Sequence, residues 1–328
     1  MIVDLPGTTT SKVSKKIISL REQGGVTALG RVLTLVVVTK FGLEEEAIEA
    51  ANDASREHPC RIIVLVDAGA GAPNRLDAQI RVGGDAGASE VIVLYGYGEL
   101  ARESESLVAA LLLPDAPIVA WWPHAAPKNA GETSIGRIAH RRITDSANEA
   151  DPQLALKNIC RTYKSGDTDL AWTRLTNWRI QLAAVLDQAD GTPITAVTVE
   201  GASDSPSTIL LAAWLHRALD TAVTIVSDPA GTGVRGVQLS RASGDIRLFR
   251  PGRIVAELTQ PGQPAQRISL PRRTLSDCVA EELRRLDPDE VFGETVRSLG
   301  TSKEHQESRV TVTGSAKPEH DRLSLIAV

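Results

Sequence analysis

With 328 residues, 42% of them hydrophobic and 23% charged, the chain has the composition of a folded protein with room for about two cores, which excludes a disordered or membrane-embedded class. A net charge of −5 argues against a nucleic-acid partner, because phosphate binding depends on clustered basic residues. Three cysteines, at positions 60, 160 and 278, are odd in number and widely spaced, which gives no zinc set and fits a reducing cytoplasm.

The first residues, Met1-Ile2-Val3-Asp4-Leu5-Pro6, lack a basic region followed by an apolar one, so no signal peptide is expected. No apolar run approaches the roughly 20 residues a bilayer span needs. A polar segment from Thr8 leads into a short helix ending at Gly24 and Gly25. Residues 31–39 form a β-branched run that reads as a buried strand. Residues 42–56 read as a helix, with Leu43, Ala47, Ala50, Ala51 and Ala54 inward and Glu44, Glu45, Glu46 and Glu49 outward. A second buried strand over 61–66 completes a β-α-β unit, expected to be parallel with a right-handed crossover.

A glycine-rich loop over 67–73 precedes an alternating strand near 78–82. A strand over 90–95, a helix over 99–113 and a strand over 118–122 follow, the helix ended by Pro114 and Pro117. Residues 123–150 read as connecting structure with a short basic strand near 138–143. Helices are expected at 152–163 and 169–188. In the second, Ala171, Leu175, Trp178, Leu182, Val185 and Ala189 make one stripe, with Trp172 off its centre. The strand-helix-strand pattern returns over 194–227, and Trp214 is expected in the core of its helix. An antiparallel meander follows over 235–270, its turns marked by Gly and Pro. Helices are expected from Thr274 and over 289–299. Beyond 300 the chain is polar and expected to be loose, with 323–328 able to dock.

These elements predict an α/β fold with α+β character in the C-terminal half: two related domains with mixed sheets flanked by helices, and the meander near the C-terminus. The expected division is an N-terminal α/β domain (1–150), a helical connecting segment (151–190), a C-terminal α/β domain (191–299) and a polar tail (300–328).

Gly231-Thr232-Gly233-Val234-Arg235-Gly236 matches a dinucleotide-binding fingerprint in letters and comes after a strand. That chemistry needs a helix N-terminus to receive the pyrophosphate, and Val237-Gln238-Leu239-Ser240 is strand-like instead, so no cofactor is expected. No metal-ligand spacing occurs among the histidines. His58-Pro59-Cys60-Arg61 stands at the mouth of a strand, where Arg61 is placed to meet an anion and His58 to give a proton; the alternative is a strand start fixed by Pro59. Trp121-Trp122 end a strand, and consecutive side chains point to opposite faces, so one is core and the other is a candidate for a ligand or partner.

Four of the five tryptophans fall between 121 and 178, and the richest stretch runs from Gly166 to Arg179, Gly-Asp-Thr-Asp-Leu-Ala-Trp-Thr-Arg-Leu-Thr-Asn-Trp-Arg. Trp and Arg are the side chains most enriched at binding hot spots. Asp167, Thr168 or Asp169 can cap the helix. Arg174 is spaced to stack on Trp178, and Arg179 lies near Trp172. Nothing here resembles a paired acid and base, and no catalytic residue is assigned.

Taken together, His58-Pro59-Cys60-Arg61, the segment from Pro117 to Pro123 and the segment from Gly166 to Arg179 resemble the glucose-6-phosphate dehydrogenase assembly protein family, OpcA, over approximately residues 1 to 300. The chain departs from the family pattern at Asn177, where the family has Pro, and at His124, where it has Gly. The resemblance implies a cytoplasmic, non-enzymatic partner that promotes assembly and activation of the oligomeric dehydrogenase. Trp172, Arg174, Arg179, Asp167, Asp169, Trp121 and Trp122 are the partner-binding candidates, and His58 and Arg61 the candidate anion or ligand site. The competing reading is an enzyme or sensor that takes a sugar phosphate or nucleotide in a strand-end cleft.

Overall fold

A computed structural model describes residues 1–24, 32–82, 90–228, 231–300 and 310–313. The chain forms two compact units, neither of them contiguous: Met1–Asn148 with Lys164–Thr168 and Thr274–Asp289, and Glu149–Tyr163 with Asp169–Arg273 and Glu290–Val328. Of the expected divisions, 164–168 of the connecting segment and 274–289 of the C-terminal domain group with the N-terminal part, while the rest of the connecting segment groups with the second unit.

The first sheet contains β1 (Ile2–Leu5), β2 (Leu33–Lys40), β3 (Cys60–Asp67), β4 (Arg75–Arg81), β5 (Glu90–Tyr97), β6 (Ile118–Trp122), β7 (Arg141–Thr144) and β8 (Asp167–Asp169). Among the described residues its order is β1-β4-β5-β3-β2-β6-β7-β8. The stretch β5-β3-β2-β6-β7 is parallel throughout, as the near-continuous apolar runs require, because such strands are covered on both faces. β4 and β1 add an antiparallel edge. The helices here are α1 (Thr10–Gly24), α2 (Glu44–Ser55), α3 (Glu105–Val108) and α4 (Ser134–Ile138). One face of the sheet buries Val36, Ile63, Ile92, Ala120 and Trp122 together with Val13 and Ile17 of α1.

The helix expected over 99–113 is broken. A 3-10 turn (Gly98–Ala101) ends at Arg102, which is extended; Ser104 then caps α3 by accepting from the Ser106 N–H, and a second 3-10 turn (Ala109–Leu111) follows. The break lets Glu103 accept a 2.9 Å hydrogen bond from the Trp122 indole. The basic strand runs over Arg141–Thr144 rather than 138–143, because Ser134–Ile138 is helical.

The second sheet contains β9 (Ala196–Gly201), β10 (Val223–Ser227), β11 (Val234–Ser240), β12 (Ile246–Phe249), β13 (Val255–Thr259), β14 (Gln266–Ser269) and β15 (Val310–Thr313), in the order β14-β13-β12-β11-β9-β10-β15 among the described residues. β9 and β10 are parallel, and β11 to β14 form the expected meander. The helices are α5 (Pro152–Thr162), α6 (Leu170–Thr173), α7 (Thr176–Asp187), α8 (Pro206–Leu219), α9 (Leu275–Arg284) and α10 (Glu290–Gly300). Of these, α9 belongs to the first unit and packs on α2. Its start is a capping box in which Thr274 and Asp277 satisfy each other's backbone N–H groups. The second unit's core gathers Trp172, Trp178, Leu210, Leu211, Val197, Leu248 and Phe292, while Trp214 is only partly buried against it.

β1 and β15 have no counterpart among the expected strands. Residues 323–328 lie outside the described residues. No helix of the described residues is long and apolar enough to cross a membrane.

Candidate partner-binding region

The tryptophan-bearing motif opens at Gly166, whose φ of +93° suits glycine; an added Cβ would stand 2.6 Å from the His140 carbonyl oxygen. The Asp167 carboxylate accepts from Arg142 Nε and, at 2.7 Å, from the Lys164 N–H. Arg142 also donates to the Ala139 carbonyl at 3.0 Å. Its neighbour Arg141 donates to Glu282 and to the Asp287 carbonyl, and the Thr168 hydroxyl reaches the same Glu282 at 3.3 Å. Consecutive residues of a strand point to opposite faces, so each arginine of β7 meets its own buried carboxylate.

In the second unit, Asp169 is fully buried and caps α6 by accepting from the Ala171 N–H at 2.9 Å. Burial, with the Asp169 carboxylate, pushes the Cys160 thiol up to about 12. The Trp172 ring is buried, with Phe292 at 5.7 Å between centroids and the Arg179 guanidinium 3.9 Å from its centre. Arg179 also donates to the Thr176 hydroxyl at 3.2 Å. The Ser207 hydroxyl of α8 donates to the Ala171 carbonyl and Arg273 to the Thr173 carbonyl, both at 2.8 Å.

The expected single helix over 169–188 is therefore two, α6 and α7, with a tight turn at Arg174 and Leu175. At 3.6 residues per turn, Trp172 and Trp178 would stand about 120° apart on one continuous helix. The turn brings both rings into one core. Trp178 receives the Arg250 guanidinium at 5.1 Å, where Arg174 was the expected neighbour.

Several candidates from the sequence sit deeper than a surface role requires. Trp121 and Trp122 are both buried, because β6 is an interior strand between β2 and β7 and has no open face. Trp172, Asp167 and Asp169 are buried as well, so their side chains act from beneath the surface. Arg174 and Arg179 are half-buried, and Asn177 and Gln181 flank Ile180, which is 56% exposed. Arg61 is directed inward, donating to Glu90 at 2.8 Å and to the Leu111 carbonyl, and Glu90 also takes Arg21 at 2.7 Å. The anion role expected of Arg61 is thus filled by Glu90, while His58 is half-buried at the end of α2.

Sequence reasoning missed Arg141, Arg142, Glu90 and Glu282 as members of buried ion pairs. Adjacent arginines inside a strand were a usable signal, since each buried charge needs a partner; the acids lie far along the chain and carry no such mark. Among the described residues no group of three or more His, Cys, Asp or Glu is placed to hold a metal ion.

No curated protein matches the chain. Among solved structures, a 3-ketoreductase from Actinomadura kijaniata is 10% identical with a TM-score of 0.45, covering 87% of this chain and 99% of its own. A myo-inositol 2-dehydrogenase from Lactobacillus plantarum is 8% identical with a TM-score of 0.37, over 81% of this chain and 94% of its own. Both likenesses are too distant to inform the chemistry. Two family profiles match: the glucose-6-phosphate dehydrogenase subunit N-terminal domain over residues 51–161 and the C-terminal domain of the same subunit over 165–296. With both profiles matched in order along the chain, it belongs to the OpcA glucose-6-phosphate dehydrogenase assembly family.

Proposed function

We propose that this protein is a non-enzymatic assembly factor and activator of glucose-6-phosphate dehydrogenase, working in the cytoplasm by binding the enzyme's active oligomeric form. The observation that carries this reading is the pair of family matches over 51–161 and 165–296. The geometry supports it at the motif, where buried Asp169, Trp172 and Trp178 fix α6 and α7 to the core and leave an outer edge in water. Asn177, Ile180, Gln181 and Ala184 follow the i, i+3, i+4, i+7 spacing of one helix face, with Arg174 just before them. An exposed isoleucine beside arginine and amide side chains is the composition of a small interface centre with a polar rim.

A partner that binds one form of an oligomer better than another shifts the population toward it by mass action. A tenfold shift needs about 1.4 kcal/mol of differential binding. Co-purification of the full chain with the dehydrogenase, followed by titration of dehydrogenase activity against added protein, tests the reading. A stable complex with rising, saturating activity is expected. A dehydrogenase whose elution and activity both ignore the protein overturns it.

A further inference from the structure

The second unit holds a cleft that the partner-binding reading does not use. β9 and β10 are parallel and joined through α8, and the chain then crosses the carboxyl end of β9 to reach β11 on its other side. The crevice outside such strand ends is where open α/β sheets receive ligands. Here the crossing backbone is pressed against the strand: a Cβ on Gly201 would stand 2.6 Å from the Gly233 carbonyl oxygen. The cleft above encloses about 200 Å³ and is lined by Thr232, Arg235, Arg250, Arg272 and Asp228.

Three arginines therefore line one space with one aspartate among them. Each is held in place. Arg250 is buried and donates to the Leu270 and Val234 carbonyls at 3.0 and 3.2 Å. Arg272 donates to the Thr232 hydroxyl at 2.6 Å, and Arg235 to Asp228 at 2.6 Å. A guanidinium carries five N–H donors, so these contacts fix the arginines while leaving further donors for a ligand. Burial, and then the neighbouring Arg272, pull the Arg250 guanidinium down to about 10, so a second positive charge stands close by.

We propose that this cleft binds a phosphate group, either as inorganic phosphate or as a small phosphomonoester. Arginine suits this role because its planar fork meets phosphate oxygens two at a time. The size sets the class. About 200 Å³ is below the roughly 300 Å³ at which pockets for drug-sized ligands begin, and no aromatic ring is among the described lining residues, so the cleft offers a nucleotide neither the room nor a described stacking surface. This also gives a role to the Gly231-Thr232-Gly233 stretch, whose letters imitate a dinucleotide site but whose backbone forms the wall of a smaller one.

The test uses the full chain alone, so its outcome is separate from partner binding. Inorganic phosphate and glycerol 3-phosphate are titrated by calorimetry at constant ionic strength against the unmodified protein, Arg235→Gln, Arg272→Gln and Arg267→Gln. Arg235 and Arg272 are exposed, so folding is expected to survive, as checked by circular dichroism; Arg267 lies outside the cleft and matches the charge change. Saturable binding of one or both ligands is expected, weakened at least tenfold by Arg235→Gln and by Arg272→Gln and left unchanged by Arg267→Gln. Binding of phosphate alone identifies the ion as the ligand, and tighter binding of the ester identifies the phosphomonoester. No saturable binding at millimolar ligand overturns the proposal. So does equal weakening by Arg267→Gln, which would reveal a net-charge effect.

Discussion

The Arg179 guanidinium lies 3.9 Å from the centre of the buried Trp172 ring, so the two long side chains of the motif serve each other before they serve anything outside. Removing the ring leaves a cavity beside Phe292, while removing the cation leaves the core filled. Trp172→Ala is therefore expected to destabilise by about 3–5 kcal/mol. Arg179→Met should lose only about 0.5–2 kcal/mol, the range of a cation-π contact. Urea unfolding of both variants measures the difference, and equal losses would place Arg179 deeper in the fold than its exposure indicates.

On α7 the expected outcome is the reverse. Ile180→Asp sits at an exposed position and should leave the unfolding midpoint within about 0.5 kcal/mol of the parent protein. It should at the same time abolish capture of glucose-6-phosphate dehydrogenase in a pull-down. If capture is undiminished, this face of α7 is not the interface.

The Arg142–Asp167 pair is buried on both sides, and breaking it strands a charge. Asp167→Asn is expected to lower stability by about 3–5 kcal/mol. The double variant Arg142→Met with Asp167→Leu should recover part of that loss, because the uncompensated guanidinium is gone. A double variant no more stable than Asp167→Asn would show that geometry rather than charge is at stake.

All three cysteines are buried. With the Cys160 thiol pushed up to about 12 by burial and Asp169, its thiolate is scarce at pH 8. Ellman's reagent is expected to react with none of the three thiols in the native protein within minutes and with all three in guanidinium chloride. Rapid reaction of the native protein would show that at least one thiol is accessible in the folded state.

Acid stability carries a further signature. Glu45 is held below its ordinary carboxylate value by its hydrogen bond with Arg81. A depressed carboxylate contributes stability that is present above its unfolded value and lost as pH falls through its lowered folded value. Glu45 is mostly exposed, so the contribution should stay below about 1 kcal/mol. Arg81→Gln is expected to flatten the acid limb of the stability curve by that amount; an unchanged limb would show that solvent already screens the pair.

What could be read from the letters alone divides along physical lines. The buried strands β2, β3 and β5 announce themselves through β-branched runs, a signal that is local. The breaks in the chain do not. The helix expected over 99–113 is interrupted where Glu103 accepts from the Trp122 indole, a contact between residues apart in sequence that no local signal marks. The turn between α6 and α7 likewise exists to fit two rings into one core. Edge elements were missed for another reason: β1 and β15 are each 4 residues long, too short for alternation to rise above the surrounding polar sequence. At the site, the motif stood out by composition, whereas the convergence of Arg235, Arg250 and Arg272 depends on three separate loops and strand ends.

β15 pairs in parallel with β10 from Val223↔Val310 to Val226↔Thr313 and, among the described residues, occupies the outermost place in its sheet. Before that pairing forms, β10 presents a row of open backbone donors and acceptors, the kind of border on which another chain can add a strand. Val310–Thr313 is also the last of the described strands along the chain, so this border of β10 is covered only after the other described strands of the sheet have been made. This four-residue strand therefore completes the backbone hydrogen bonding of β10 and carries the sheet's border outward by one strand.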